Sequence, residues 1–373
     1  LYIQRLRKIV EEKSIIPPFQ FGFRQKHATV EQIHRVTNII EKSLEEKKYC
    51  VAVFLDVAQA FDKVWHRNLL EMLARLLPAP HARLLKSYLE NREFQVKFED
   101  SLSSLKPILA GVPQGSVLGP LLYLIFTSDI PHPTRGATLA KFADDTAYLD
   151  THENQAVAVD RMQINLNNVE KWKDEKRIKM NCNKTIHIIF SNRPIQNLPL
   201  TFCGVILPIV DTAKYLGITL DAKLRWKAHI KKKKQELTHK FSRMNWLLGG
   251  RSTLSLDNRI LLYKQILRPT WSYGCQIWGC SRNSNLKILQ TVQNKILRKI
   301  CGARWYERNE DIHRDLGIET VYQYISKIAS NYEKRLHAHP NEEALMLLDD
   351  AGVTRRLQRR KPRDLTSPWF HKL

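Results

Sequence analysis

The chain has 373 residues, of which 60 are Lys or Arg and 37 are Asp or Glu, giving a formal charge of +23. An apolar share of 43% excludes a disordered chain and suffices for a sizeable core spread over two or three domains. So large a positive excess points to a polyanionic partner, with nucleic acid first and an anionic membrane surface as the rival. The longest apolar stretch, Val117 to Phe126, is interrupted by Gly and Pro and falls well short of the ~20 residues that span a bilayer.

In chain order, the segment up to Lys48 reads as helical, with Val30, Ile33, Val36, Ile39, Ile40 and Leu44 at helical spacing. Cys50 to Val57 (CVAVFLDV) is short, apolar and β-branched, and reads as a buried strand. A helix is expected from His66 to Leu77, ended by Pro78 and Pro80, and another from His81 to Glu90. Phe94 to Phe98 alternates as a strand, and Gly111 to Gly115 is a tight turn. A helix follows from Pro120 to Asp129. Thr138 to Asp150 reads as two short strands that turn at an acidic pair, and Asn154 to Lys176 as a long amphipathic helix. Ile186–Phe190, Leu200–Phe202 and Tyr215–Leu220 are the remaining strands. After Asp221 the chain is mostly helical and rich in Lys, Arg and Trp, so the main boundary falls there. Strands mixed with helices and then a run of helices give an α+β part followed by an all-α part.

The cysteines (Cys50, Cys182, Cys203, Cys275, Cys280, Cys301) are scattered, without a CxxC, and read as free thiols in a reducing compartment. A zinc site from Cys275, Cys280, Cys301 and His313 matches no established ligand spacing. Leu1 to Lys13 is charged throughout, so no secretory signal is legible there, and the missing initiator Met suggests a start inside a longer reading frame.

The residues with chemical potential are carboxylates at strand ends. Asp56 closes the apolar strand, and Asp144 and Asp145 stand side by side at the hairpin turn. A buried strand end makes a lone carboxylate costly, and two adjacent ones repel; a divalent cation resolves both. Oxygen donors without nitrogens select Mg²⁺ over zinc. A solvated acidic turn is the plain alternative.

The sequence around each acid carries a resemblance. VFLDVAQAFDKVWH, GVPQGSVLGPLLYLIF and KFADDTAYL, in that order, are similar to three palm motifs of reverse transcriptases. PFQFGFRQKHAT resembles the upstream fingers–palm segment of the non-LTR (LINE-type), jockey-like retrotransposon polymerases. NKTIHIIF and KYLGITLD resemble their later palm motifs, and QNKILRKICGARWYERNEDIHRDLGI the region beyond the thumb.

This resemblance implies a right-hand polymerase: partial fingers over 1–48, an antiparallel palm over 49–221, a basic helical thumb over 222–300, and a C-terminal helical region with a basic tail over 301–373. It implies RNA-directed DNA polymerisation, in which a primer 3′-hydroxyl attacks a dNTP with two Mg²⁺ ions, Mn²⁺ being the alternative metal. Asp56, Asp144 and Asp145 would be the catalytic metal ligands, joined by the Val57 carbonyl. Phe61 would stack under the deoxyribose, Gln114 would touch the incoming nucleotide, and Lys184 would sit near the triphosphate. Tyr215 to Gly217 would form the primer grip. The plain alternatives are a core Phe61, a turn Gln114 and a solvated Lys184; Asp62 reads as structural, capping the following helix.

Lys223 to Arg251 holds ten Lys or Arg against one acid, Glu236. With Lys231, Lys232, Lys233 and Lys234 at its centre, it resembles a thumb tracking phosphates, the alternative being a solvated helix face. The Arg355–Arg363 cluster reads equally as a nuclear localisation patch, a nucleic-acid tail or neither. The implied partners are an RNA template, a DNA primer and dNTPs, without a membrane, and the implied place of action is the nucleus. The family's polymerase starts upstream of Leu1, so the resemblance also implies an N-terminally truncated chain. A catalytically silent nucleic-acid-binding remnant is the alternative function.

Overall fold

The computed structural model describes residues 2–134, 136–250, 252–348 and 355–367. Arg251, which ends the basic stretch, and the tail from 368 lie outside the described residues. The chain forms two compact units, one of Leu1–Gln32 and Lys47–Val210, the other of Ile33–Glu46 and Asp211–Leu373. The boundary after Val210 precedes the one expected at Asp221, because the hairpin at 212–221 clusters with the helices that follow it.

The expected single helical segment is two helices, α1 (Tyr2–Glu12) and α2 (Thr29–Glu45). Pro17, Pro18 and Gly22 lie between them and break the helical ladder. Strand β1 (Tyr49–Leu55) is buried at every position, which is why its sequence is a continuous apolar run rather than an alternating one. Helices α3 (His66–Leu76) and α4 (Ala79–Leu89) follow, the latter with Pro in its first turn.

The strand expected over Phe94–Phe98 is instead the start of two nested hairpins. Here β2 (Glu93–Phe94) pairs with β5 (Lys106–Pro107), and β3 (Lys97–Phe98) with β4 (Ser101–Leu102). Both faces of these strands are exposed, so the alternation there does not mark a buried side. Helix α5 (Gly119–Phe126) is buried at Gly119 and along Leu121–Phe126, which accounts for its uniformly apolar sequence.

Strands β6 (Ala137–Phe142) and β7 (Asp145–His152) form the expected acidic hairpin. Helix α6 (Gln155–Glu175) is capped by Asn154, whose side chain accepts from the Ala156 amide at 2.9 Å. Strand β8 (Ile186–Phe190) completes an antiparallel sheet of order β6-β7-β1-β8. One sheet face, with Val51, Val53, Leu55, Tyr148 and Ile189, shares a core with Ala158, Met162, Leu166 and Val169 of α6. Because strand side chains alternate, Asp56 falls on the other face, in line with Ala52 and Phe54. A small hairpin of β9 (Thr201–Phe202) and β10 (Val205–Ile206) closes this unit.

The second unit begins with β11 (Thr212–Tyr215) and β12 (Ile218–Asp221), a hairpin where the apolar pattern suggests one strand. Leu216 (φ 43°) and Gly217 (φ 79°) both take left-handed φ, the requirement of a two-residue hairpin turn. Next come α7 (Lys227–Leu248), α8 (Leu256–Leu262), a π-helical stretch at Tyr263–Leu267, α9 (Arg268–Ser272) and α10 (Cys275–Trp278). Helices α11 (Asn283–Cys301), α12 (Asn309–Asp315), α13 (Val321–His337) and α14 (Glu342–Leu345) complete the described set. Thr320 and Gln323 close α13 with a capping box.

The C-terminal basic cluster folds onto this unit. Arg356 donates to the Leu44 carbonyl at 2.9 Å and the Glu45 carbonyl at 3.0 Å, satisfying acceptors that the end of α2 leaves open. Arg359 donates to the Lys223 carbonyl at 2.9 Å, Arg360 to that of Ser281, and Arg355 pairs with Asp364 at 2.9 Å. Of the three readings of this cluster, its contacts favour a structural strap over a free tail.

Candidate active site

The antiparallel register brings the acids together in the chain's own backbone. Leu55 is paired with Thr146, and Phe142 with Asp145. Asp56 follows Leu55 and Asp145 precedes Thr146, so the two stand at adjoining ends of neighbouring strands. Asp144 occupies the two-residue turn beside them, after Ala143, whose φ is +58°. Asp56 and Asp144 are partly exposed and Asp145 is exposed.

The backbone beyond Asp56 is tied to the turn before β8. The Asn181 amide donates to the Asp56 carbonyl at 2.8 Å, and the Ala58 amide to the Lys179 carbonyl at 2.9 Å. This bridge uses the groups on either side of Val57, and the Val57 carbonyl takes no part in it. The buried Thr185 hydroxyl accepts from the Asp56 amide at 3.5 Å and donates to the Asn181 carbonyl at 3.1 Å. Lys184 is exposed in this turn, so one loop anchors Asp56 and carries Lys184.

Phe61 is half-buried at the edge of the core. It packs against Tyr123 of α5 with ring centroids 4.9 Å apart, and edge-on to Phe23 at 5.9 Å. The segment 111–114 runs alongside it, with the Val112 amide bonded to the Phe61 carbonyl at 2.9 Å and the Gly111 amide to the Val64 carbonyl at 2.8 Å. Gly111 has φ +95°, and a Cβ there would press on the Asp62 backbone at 3.1 Å. Gln114 donates to the Asp62 carboxylate at 2.9 Å. Asp62 therefore does not cap the next helix, which starts at His66 behind Trp65 without a side-chain cap.

Two further residues at the site, Tyr123 and Lys141, lie within the palm motifs, but the sequence alone assigns them no role. Burial, and to a lesser degree the charges of Asp144 and Asp145, raise the Tyr123 phenol well above its ordinary range. Lys141 is buried in β6, donates to the Thr127 carbonyl at 3.1 Å and lies 6.0 Å from the Tyr123 ring centroid. Burial lowers its ammonium to about 7, while Asp129 and Asp144 act in the opposite direction. The legible signal for Lys141 is a lone cation within an apolar strand.

Among the described residues, no three His, Cys, Asp or Glu side chains are already gathered into a metal-holding group. The donor chemistry nonetheless fits a hard cation: carboxylates and a backbone carbonyl, with no sulfur or imidazole in the set. Directly opposed strand residues have Cβ atoms about 5 Å apart, close enough for two aspartates to share one ion.

Residues 1–220 match the reverse transcriptase (RNA-dependent DNA polymerase) family. The chain belongs to this family. It is 42% identical, over 97% of its length, to a probable RNA-directed DNA polymerase from transposon X-element of Drosophila melanogaster. It is 40% identical over 98% of its length to the RNA-directed DNA polymerase from mobile element jockey of the same species. The chain is thus similar to jockey-type polymerases, and it spans 40% and 42% of those two relatives. A telomerase from Candida albicans, solved in complex with a fragment of telomeric RNA, aligns with 93% of the chain and 57% of its own at a TM-score of 0.43 and 14% identity.

In the second unit, Tyr215 is buried, so a primer grip at Tyr215–Gly217 would present the turn's backbone rather than the tyrosine ring. Tyr273 braces that turn, its hydroxyl donating to the Leu216 carbonyl at 2.9 Å. On α7, Lys231, Lys232 and Lys234 are exposed, whereas Lys233 is paired with Glu236 at 2.8 Å. Trp246 is 74% exposed on the same helix, while Trp226 is buried ahead of it. No described helix is long and apolar enough to cross a membrane.

Proposed function

We propose that this chain is the polymerase portion of a mobile-element protein that copies an RNA template into DNA, extending a primer 3′-hydroxyl with dNTPs. The observation that carries this reading is the register that sets Asp56 beside Asp145, next to Asp144, at one end of an antiparallel sheet in a reverse transcriptase. Asp56, Asp144, Asp145 and the Val57 carbonyl would hold two Mg²⁺ ions, with Mn²⁺ as a substitute. Bound there, such ions activate the attacking hydroxyl and stabilise the leaving phosphate oxygen.

The other residues take positioning and proton roles. Phe61, held between Tyr123 and Phe23, would form the wall under the deoxyribose. Gln114, held by Asp62, would meet the incoming nucleotide. The Lys184 ammonium would offset triphosphate charge or donate a proton to the leaving pyrophosphate. The exposed lysines of α7 would contact phosphates of the primer–template duplex, as would the Leu216–Gly217 turn at the primer end. Copying into chromosomal DNA would place the protein in the nucleus.

Primer extension on an RNA template with Mg²⁺ tests this reading, with Asp144→Asn as the control. Extension by the parent chain and a loss of 100-fold or more in the variant are expected, on the order of a lost charge-stabilising group. Nucleic-acid binding without extension in the parent chain would overturn it in favour of the silent remnant.

A further inference from the structure

The turn that carries Asp144 is not self-supporting. Ala143 holds φ +58°, a left-handed conformation that costs an L-residue with a Cβ about 1 kcal/mol or more. The group that meets it comes from far away in sequence. Gln20 is 2% exposed, and its Oε1 accepts from the Ala143 amide at 2.9 Å and from the Gly22 amide at 2.8 Å. Its Nε2 donates to the Ala143 carbonyl at 3.3 Å. One carboxamide therefore engages both backbone polar groups of the residue immediately before Asp144.

The main chain around Gln20 is fixed to the same hairpin. The Phe21 amide donates to the Lys141 carbonyl at 2.9 Å, and the Lys141 amide to the Phe19 carbonyl at 3.1 Å. Gly22 lies so close that a Cβ there would sit 2.2 Å from the Ala143 nitrogen. The contact leaves no room for any other residue at Gly22 without moving the turn.

We propose that Gln20 is a positioning residue that clamps the Ala143–Asp144 turn, so that the carboxylates of Asp144 and Asp145 are presented together at the strand ends. Only a carboxamide of this length meets the demand. Glu keeps the acceptor but loses the donor, and places a buried negative charge behind two others. Met matches the length but leaves the Ala143 and Gly22 amides without a partner. Asn is too short to span the gap.

The test compares the parent chain with Gln20→Met, Gln20→Glu, Ala143→Gly and the double variant Gln20→Met/Ala143→Gly. The first readout is amide hydrogen exchange at residues 143–146 against the β1, β6 and β8 amides. The second is primer extension, separating kcat from KM for primer–template. This kinetic arm rests on the polymerase reading above, whereas the exchange arm stands without it. In Gln20→Met and Gln20→Glu, exchange at the turn should rise about ten-fold while the strands stay protected, as expected when a buried hydrogen bond is removed. The kcat should fall by about ten-fold or more with KM for primer–template little changed. Gly takes positive φ without strain, so the double variant should recover part of the loss, whereas Ala143→Gly alone should be near-neutral. Unchanged exchange at the turn would overturn the proposal. So would faster exchange spread equally over the whole sheet, or no recovery in the double variant, since either makes Gln20 a core residue without a specific hold on the turn. An inactive parent chain would end the polymerase reading and leave the clamp to be decided by exchange.

Discussion

Phe61 occupies a position that its own sequence neighbourhood does not distinguish from ordinary core. Its ring is half-buried, backed by Tyr123 and crossed edge-on by Phe23, with the 111–114 segment alongside. A ring braced on two sides is a rigid wall, and a rigid wall rejects an added hydroxyl by shape. In Phe61→Ala, ribonucleotide incorporation relative to deoxyribonucleotide should rise about ten-fold or more, measured by primer extension with matched rNTP and dNTP pairs. No change in that ratio would return Phe61 to a packing role. Asp62 teaches the opposite lesson. Its spacing ahead of a helix suggests a cap, but Gln114, remote in sequence, takes its carboxylate, and local spacing cannot report such a partner.

At the scale of elements, α7 is the clearest case of a charged face with unequal members. Lys231, Lys232 and Lys234 are exposed, and Lys233 is engaged by Glu236. Replacing the first three by Gln should weaken binding to a primer–template duplex to a similar degree for every sequence, because phosphate contacts carry no base information. The slope of log affinity against log salt should flatten by about 0.9 for each phosphate that is no longer neutralised on a B-form duplex. Lys233→Gln should change the slope least. A slope that does not move in the triple variant would mean that α7 faces away from the duplex. The hairpins at 93–107 mark the limit of pattern reading at this scale. Their alternation is genuine, but it belongs to strands exposed on both faces, paired only with their own return.

For the molecule as a whole, two buried groups in the first unit set opposing pH dependences. Neither His187 nor Asp150 has a side-chain hydrogen-bond partner among the described residues, and both are fully buried. Burial lowers His187 from 6.5 to about 4, so the folded state holds it neutral. Its contribution is complete above pH 6.5 and is lost as the pH falls toward 4, by up to about 3 kcal/mol. Burial raises Asp150 from 3.8 to about 6, against the opposing charges of Arg161 and His152. Its ionisation therefore costs stability as the pH rises from 3.8 to 6, and above that the cost is constant. Asp150→Asn should stabilise the sheet by about 2 kcal/mol at pH 7 and have little effect below pH 4. Exchange of the β1 and β7 amides across pH 4–7 measures this, and the variant should show the His187 decline without compensation. A variant no more stable than the parent at pH 7 would show that the Asp150 carboxylate is solvated there and pays no burial cost.

The sequence by itself determined the buried central strand, the acidic hairpin, the amphipathic α6, the basic α7 and, through ordered motifs, the family. Each of these rests on a local pattern: an apolar run, a turn between two strands, a helical apolar period, a charge run. Tertiary structure decided what local pattern cannot reach. The pairing of β1 with β7 set Asp56 beside Asp145, and the fold of the C-terminal arginines over α2 turned an apparent tail into a strap. It also joined Gln20 to Ala143, although PFQFGF and KFADD lie far apart in the chain. The physical reason is common to all three. A buried backbone group must find a partner wherever the folded chain brings one, and the identity of that partner is set by sheet register and packing rather than by spacing along the sequence.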